Sequence, residues 1–208
     1  HKEGIKASKV LERVRISIAE KFNTSFDNIV FTSGATESVH LALIGISNDL
    51  NPGRIVVSSV EHPSVLSAAK SLEQKGWTLE YWPVDYLGKI NLEYIDKLLC
   101  PPTKILSLIW AQSEIGTIQP INYIGKLCHE RNILFHTDAT QLLPHGVINW
   151  DELNIDLLSA SAHKLRGPRG VGLLLTKPHM KNKLKPIFGG GNQENGFRSG
   201  TEPVSLIA

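Results

Sequence analysis

Sulfur is scarce in this 208-residue chain, which has two cysteines, Cys100 and Cys128, and a single methionine. Two cysteines cannot build the disulfide framework of a small secreted domain, so a reducing compartment is expected. Aromatic residues make up only 7%, and the formal charge is just +2 at pH 7. No compact basic stripe interleaved with aromatics results, and nucleic acid is not an expected partner. No apolar run approaches the ~20 residues of a membrane span, and no secretory leader pattern is present. A cytoplasmic location away from the membrane is therefore expected, with an organelle stroma or matrix as the variant. Metal-ligand spacing is missing too, since the eight histidines and two cysteines form no C-x-x-C or H-x-x-x-H pattern. No G-x-G-x-x-G follows the early strands, which argues against a nicotinamide dinucleotide. The chain opens on His1 rather than Met and reads as a fragment or a processed form.

What is present suits one large globular domain. Hydrophobic residues at 41% and charged residues at 20% are ordinary for a chain with a substantial buried core. The densest basic run, Lys177 to Lys185, carries four lysines and reads as a solvated face.

Apolar residues recur at helical spacing from Ile5 through Val10, Leu11, Val14 and Ile18 to Phe22. A short strand at Ile29–Phe31 follows, and then a helix running to about Leu50. Asn51-Pro-Gly53 stops that helix before a β-branched strand, Arg54–Val60. Pro63 suits the first turn of a helix reaching Lys75. The pattern predicts strands at Thr78–Val84, Lys104–Ala111 and Ile133–Thr137, and helices at Asn91–Leu99 and Tyr123–Arg131. A loop around Leu143–Trp150 leads to two apolar runs, Ile155–Leu158 and Val171–Leu175. Alternating strands and helices imply an α/β fold with a mostly parallel or mixed sheet and helices on both faces.

Ligands in such sheets sit beyond the carboxyl ends of the strands, where the polar clusters of this chain fall. Thr32-Ser-Gly-Ala-Thr-Glu37 puts a glycine turn and hydroxyls at a helix start, where free amides favour a phosphate. The alternative there is a plain cap by Ser33 or Thr36. Asp138 ends a strand and could hold a heterocyclic nitrogen protonated, or cap the residues that follow. Gln141 could share its face, or be a surface amide. His62, after Glu61, could stack on a ring or shuttle a proton, or simply cap a helix. Ser161-Ala-His-Lys164 lies between the two last apolar runs, an odd place for an ordinary solvated lysine. It also fits S-x-x-K, but the S-D-N and K-T-G partners of that serine chemistry are absent.

A phosphate-ready helix start, a ring-facing histidine, a strand-end aspartate and a lysine together suit pyridoxal 5'-phosphate. In family order the chain carries Phe31-Thr-Ser-Gly-Ala-Thr-Glu-Ser38, Glu61-His62, Glu114-Ile-Gly-Thr-Ile-Gln-Pro120, His136-Thr-Asp-Ala-Thr-Gln141, Ser161-Ala-His-Lys-Leu-Arg-Gly-Pro-Arg-Gly170 and Gly189-Gly-Gly-Asn-Gln-Glu-Asn-Gly-Phe-Arg-Ser-Gly-Thr201. Together these resemble the class V aminotransferase family of fold type I, in its cysteine desulfurase branch. The resemblance implies that residues 1–208 form the large cofactor-binding domain, without the family's amino-terminal start or carboxyl-terminal small domain.

By the same resemblance Lys164 would carry the cofactor as a Schiff base, Asp138 would bind the pyridine nitrogen and Gln141 the ring oxygen. His62 would stack on the ring and join in proton transfer. Ala35, Thr36, Ser161 and His163 would hold the phosphate, and Thr201 would reach the phosphate of the neighbouring subunit in a homodimer. The implied reaction takes sulfur from L-cysteine, leaving alanine and a persulfide for a sulfur-acceptor protein, as in iron–sulfur cluster assembly. Selenocysteine lyase or another class V activity is the alternative chemistry, and a non-catalytic cofactor-binding or dimerisation module the alternative class. The chain departs from the family at Gln112-Ser113-Glu114, where Asn-Asn-Glu is usual, so Ser113 would lie near the substrate. Neither Cys100 nor Cys128 matches the family's persulfide cysteine, and both are read as structural.

Overall fold

The computed structural model describes residues 1–146 and 148–208. Seven strands form one sheet: β1 (Ile29–Thr32), β2 (Arg54–Ser58), β3 (Thr78–Trp82), β4 (Thr103–Ile109), β5 (Leu134–Asp138), β6 (Leu157–Ser161) and β7 (Gly172–Thr176). Their order across the sheet is β1-β7-β6-β5-β4-β2-β3. Neighbours from β6 to β3 are parallel, whereas β7 runs antiparallel to both β6 and β1. Only β7 is reversed, so β1 ends at the same edge as β2, β4, β5 and β6. β3 lies outside β2, while β5 and β6 step away from β4 on the other side, so the strand order reverses between β2 and β4. Such a reversal leaves a crevice at the carboxyl edge, the usual ligand position in α/β sheets.

Helices α1 (Lys2–Phe22), α2 (Ala35–Ser47), α3 (Pro63–Glu73), α4 (Ile95–Leu98), α5 (Ile121–Glu130) and α6 (Val204–Ile207) cover the sheet. Alternation along each strand feeds two cores, one on each face. Leu41, Leu43, Ile46, Val65 and Leu72 from α2 and α3 pack with Ile55, Val57, Ile105 and Leu157. On the other face Val56, Leu106, Leu108, Phe135 and Leu158 meet Ile124 and Cys128 of α5, with Leu11, Val14, Ile18 and Phe22 of α1 alongside. The sparse apolar stripe of α1 suits this one-sided burial. Asn23, at φ 49°, ends the helix in the left-handed region.

The expected elements are all present, with shifted strand ends and two differences of kind. The Arg54–Val60 strand stops at Ser58, and the Lys104–Ala111 strand starts at Thr103 and stops at Ile109. The β2–β4 ladder ends at Val57 opposite Ser107, and the next free amide of β4, Ile109 N–H, donates to the Glu61 carboxyl at 2.7 Å. A side chain thus replaces the ladder there. The helix expected at Asn91–Leu99 is a 3-10 turn, Leu92–Tyr94, followed by the one-turn α4. Asn91 starts it by accepting from the Glu93 amide at 3.0 Å. The loop expected at Leu143–Trp150 contains short 3-10 turns at Leu143–His145 and from Trp150, and its Val147 lies outside the described residues.

The basic run also differs from the solvated face expected of it. Lys177 is half-buried, with its amine 2.6 Å from the Trp150 carbonyl oxygen and 4.7 Å from the centre of the Trp150 ring. Burial holds that amine below the usual lysine range, against the opposing pull of Asp151 and Asp156. Lys181 and Lys185 reach Asp27 and Asp49 at 3.7 and 3.2 Å. Cys128 is buried as expected, and burial pushes its thiol far above the ordinary range. Cys100 is partly buried, its sulfur 3.4 Å from the Arg54 guanidinium.

The glycine-rich stretch near the carboxyl end is an anchored loop. Arg15 donates to both oxygens of Glu194, at 2.6 and 3.0 Å, and to the Ile29 carbonyl at 2.6 Å. The Phe31 amide donates to the same Glu194 carboxylate at 2.7 Å, and the Arg15 guanidinium lies 4.6 Å from the Phe31 ring centre. Glu194, at φ 50°, is almost fully buried.

Gly172 sits between Thr32 on β1 and Ser161 on β6. A Cβ there would come within 2.5 Å of the Gly34 Cα and carbonyl carbon. The Gly34 backbone cannot give way as a flexible side chain would, and the Thr32 hydroxyl lies 2.8 Å from the same position. Gly172→Ala is expected to lower unfolding stability by about 1–3 kcal/mol, measured by denaturant titration, through overpacking rather than backbone strain.

Candidate active site

The carboxyl ends of five strands converge on a cavity of about 430 Å³, within the ordinary range for small-molecule sites. Its wall contains Ser33 to Glu37 after β1, His62 after β2, Ile109 and Ser113 from β4 and beyond, Asp138, Thr140 and Gln141 from β5, and Ser161, His163 and Lys164 from β6. All the site residues expected from the sequence lie here except Thr201. Thr201 occupies an adjacent depression with Arg198, Glu202 and Pro203, which shares only Ser33 and Gly170 with the cavity.

The start of α2 is an open anion cradle rather than a capped helix. The expected alternative, a cap by Ser33 or Thr36, is not built: the N-cap is Gly34, and no side chain accepts from the first turn. The amide of Ser33 donates instead to Glu37 at 2.7 Å, so Glu37 shapes the turn from inside the helix. Arg198 donates to the other Glu37 oxygen at 2.8 Å, tying the glycine-rich loop to the cradle. Burial would raise the pKa of Glu37, but hydrogen bonds from Arg198 and Ser33 outweigh it and hold the carboxyl below its usual range. Ser161, buried at the end of β6, shares a 2.8 Å hydrogen bond with His163 Nδ1. Backbone amides, a hydroxyl and an imidazole therefore line the cavity together, a donor set suited to phosphate oxygens.

Lys164 stands on the 3-10 turn Ala162–Leu165 between β6 and β7. Its side chain is exposed to the open cavity, and among the described residues it makes no hydrogen bond or ion pair. Ser161 is engaged by His163 rather than by Lys164, which removes the serine–lysine pairing suggested by S-x-x-K. Asp138 is only 4% exposed, and its Oδ1 accepts from the Thr140 amide at 2.9 Å. It therefore caps the following turn and lines the cavity at once. His62 is doubly placed in the same way. Its Nδ1 takes the Ser64 amide at 3.2 Å and the Ser64 hydroxyl at 2.7 Å, fixing the ring as the cap of α3 at the cavity wall.

Gln112 Oε1 accepts from the amides of Glu114 and Ile115 at 2.6 and 2.9 Å, holding the turn that presents Ser113. Two wall residues went unread in the sequence. Thr140 sits between two residues that were read, and Ile109 looked like any other member of an apolar strand. The parity of β4 is a usable signal for Ile109, because the alternate residues Ser107 and Ile105 share its face.

Below the cavity floor three strands are joined by side chains. His136 Nδ1 meets Ser107 Oγ and its Nε2 meets Ser159 Oγ, each at 2.8 Å, across β4, β5 and β6. Burial pushes the imidazole pKa down to about 3, so His136 is a neutral crosslink.

Sheet and cavity together define an α/β protein with a small-molecule site at a topological switch point, built on an anion cradle and a free lysine amine. The chain belongs to the aminotransferase class-V family, whose sequence pattern matches residues 1–208. It is 42% identical over 211 residues to the mitosomal cysteine desulfurase of Trachipleistophora hominis, across all of this chain and 48% of that protein. With the cysteine desulfurase IscS of Dictyoglomus turgidum the identity is 41% over 209 residues, all of this chain and 52% of the relative. A solved NifS-like protein superposes with a TM-score of 0.94 at 35% identity, covering all of this chain and 57% of that one. SspA in complex with cysteine gives 0.93 at 36% identity, with 60% of its chain covered. The chain thus spans about half the length of the curated relatives it matches.

Arg198→Ala is expected to cost about 1–3 kcal/mol, because it leaves a mostly buried carboxylate short of a donor. The folded-state pKa of Glu37 is depressed, so its contribution is present above its ordinary value of 4.5 and is lost as pH falls through the folded value. Urea titrations of variant and wild type should therefore differ most at neutral pH and converge below about pH 4.5.

Proposed function

We propose that this chain is the large cofactor-binding domain, residues 1–208, of a pyridoxal-phosphate-dependent cysteine desulfurase. The observation that carries the proposal is the meeting, in one cavity, of the uncapped start of α2 with Ser161, His163, Asp138 and Lys164. The donor set fits the group: a phosphate matches the cradle, a pyridinium nitrogen matches a nearly buried carboxylate, and an aldehyde matches a free amine. The relatives named as cysteine desulfurases and the likeness to SspA with cysteine support L-cysteine as the substrate.

The cofactor, when bound, supplies an electron sink for the bonds around the substrate Cα. Everything else falls to side chains. Ala35 and Thr36 amides, Ser161 and His163 bind the phosphate. Asp138 pairs with the ring nitrogen and keeps its proton on, because the carboxylate is held off from water. Gln141 donates to the ring oxygen. His62, with Nδ1 committed to Ser64 at the cavity wall, would stack on the ring and has Nε2 left to move a proton. Lys164 would provide the amine that holds the cofactor aldehyde, and its free amine would be the base that moves the substrate Cα proton. Ser113 stands beside the substrate where the family commonly has Asn.

Overall, the sulfur of L-cysteine passes to a thiol as a persulfide, and L-alanine leaves with a proton in its place. That thiol is neither Cys100 nor Cys128, since neither lines the cavity. A second reading is a cofactor-binding module without turnover. Alanine formation from L-cysteine by the full protein separates the two. A homodimer would account for Thr201, which is exposed and outside the cavity of its own chain and would reach that of a partner. A sulfur-acceptor protein, as in iron–sulfur cluster assembly, would be the downstream partner. An aqueous compartment suits the chain, among whose described residues no helix is long and apolar enough to cross a membrane.

Pyridoxal 5'-phosphate added to purified protein should give a visible or near-ultraviolet absorbance band, and borohydride should trap an adduct on Lys164. Lys164→Ala should abolish both with an unchanged circular dichroism spectrum. Folded wild-type protein showing neither overturns the assignment. Asp138→Ala should lower turnover by roughly 10²–10³-fold, the size expected for a lost preorganised charge.

A further inference from the structure

Glu61 precedes His62, yet it is absent from the cavity wall and only 7% exposed. Its Oε1 accepts two hydrogen bonds, from Ser58 Oγ at 2.5 Å and from the Ile109 amide at 2.7 Å. Its Oε2 is buried with no partner. Among the described residues no lysine, arginine or histidine pairs with it, and the charged group acting on it is Asp138, of like sign. An ionised carboxyl in that position would leave half its charge buried and unpaired beside a second anion. Protonation at Oε2 removes the charge and keeps Oε1 as a carbonyl-type acceptor for both donors. Burial, reinforced by Asp138 and only partly opposed by the two hydrogen bonds, raises its pKa to about 8.

The two donors lie on either side of the reversal in strand order. Ser58 ends β2, and Ile109 ends β4 directly opposite Asp138 of β5. The Trp110 amide extends the connection by donating to the Asp138 carbonyl at 2.9 Å. Backbone pairing between β2 and β4 has already stopped at Val57, so the Glu61 carboxyl closes the gap.

We propose that Glu61 is a positioning residue that works as an uncharged carboxylic acid, splicing β2 to β4 so that His62 is held at the cavity without a second negative charge beside Asp138. A charged brace would set a second buried anion against Asp138 and repel it, and an apolar one would leave the Ile109 amide unpaired. Glutamine has the required shape and the required charge, which gives a sharp comparison. The link to the ring rests on the cofactor assignment above, whereas the protonation state of Glu61 does not.

The test uses wild type, Glu61→Gln and Glu61→Ala, each checked for folding by circular dichroism. Infrared spectra at pH 7 should show a protonated-carboxyl C=O band in wild type that disappears in Glu61→Gln. Equilibrium dialysis against pyridoxal 5'-phosphate should show Glu61→Gln close to wild type and Glu61→Ala weaker by roughly tenfold or more, as expected for an orphaned buried amide. The stability of wild type relative to Glu61→Gln should fall as pH rises from 4.5 to about 8. The raised folded-state pKa fixes that sign, because stability is fully present below the unfolded value and lost through the folded one. Absence of the infrared band, or Glu61→Gln behaving like Glu61→Ala, overturns the proposal. Wild type that binds no cofactor sinks the functional assignment instead, and the infrared and stability results then decide the role of Glu61 alone.

Discussion

The rung Thr32–Gly172–Ser161 is the constraint on which the cavity depends. β7 runs backwards between β1 and β6, and only its missing side chain at Gly172 lets the turn after β1 close against it. That contact brings the start of α2 level with the end of β6. The cradle and the lysine-bearing turn are far apart in sequence, and lie within one small-molecule length because backbone touches backbone there.

Charge and neutrality are divided along the sheet edge by burial. His136 and Glu61 are both buried and both pushed towards their uncharged forms, one downward and one upward in pKa. They act as crosslinks between strands: His136 beneath the floor, Glu61 across the gap between β2 and β4. Asp138 and Lys164 face the cavity and remain available to a ligand. Glu37, held by Arg198 and Ser33, is a charge kept for shape rather than for chemistry.

Much of this was legible from residue order. Alternating apolar runs and helical stripes located every strand, and polar clusters at strand ends located the cavity, because a parallel sheet must place those ends on one edge. Lys164, Asp138, Gln141 and His62 could be read for that reason, and Ser113 from the resemblance. Whether a hydroxyl caps a helix is decided by one turn's dihedral angles, and so the sequence left a cap by Ser33 or Thr36 open beside the phosphate reading, whereas Gly34 takes the position. Lys177 looked solvated because a run of lysines gives no hint that Trp150 folds beneath one of them. Glu61 was seen only as the neighbour of His62. Its bond to Ile109 spans 48 positions in sequence, and no local pattern encodes it.

The Arg15–Glu194 clamp has a consequence for the timing of order. It fastens the glycine-rich loop to α1 and β1 within a single chain through three hydrogen bonds to Glu194, while Arg15 also grips β1 at Ile29 and Phe31, all without a ligand or a second subunit. Chain entropy that a glycine-rich segment would otherwise surrender on association is surrendered during folding. Thr201, a few residues beyond, is thereby offered outward from a fixed base. Any surface that meets it encounters a shape already set, and complementarity rather than loop ordering then governs how tightly the two sides hold.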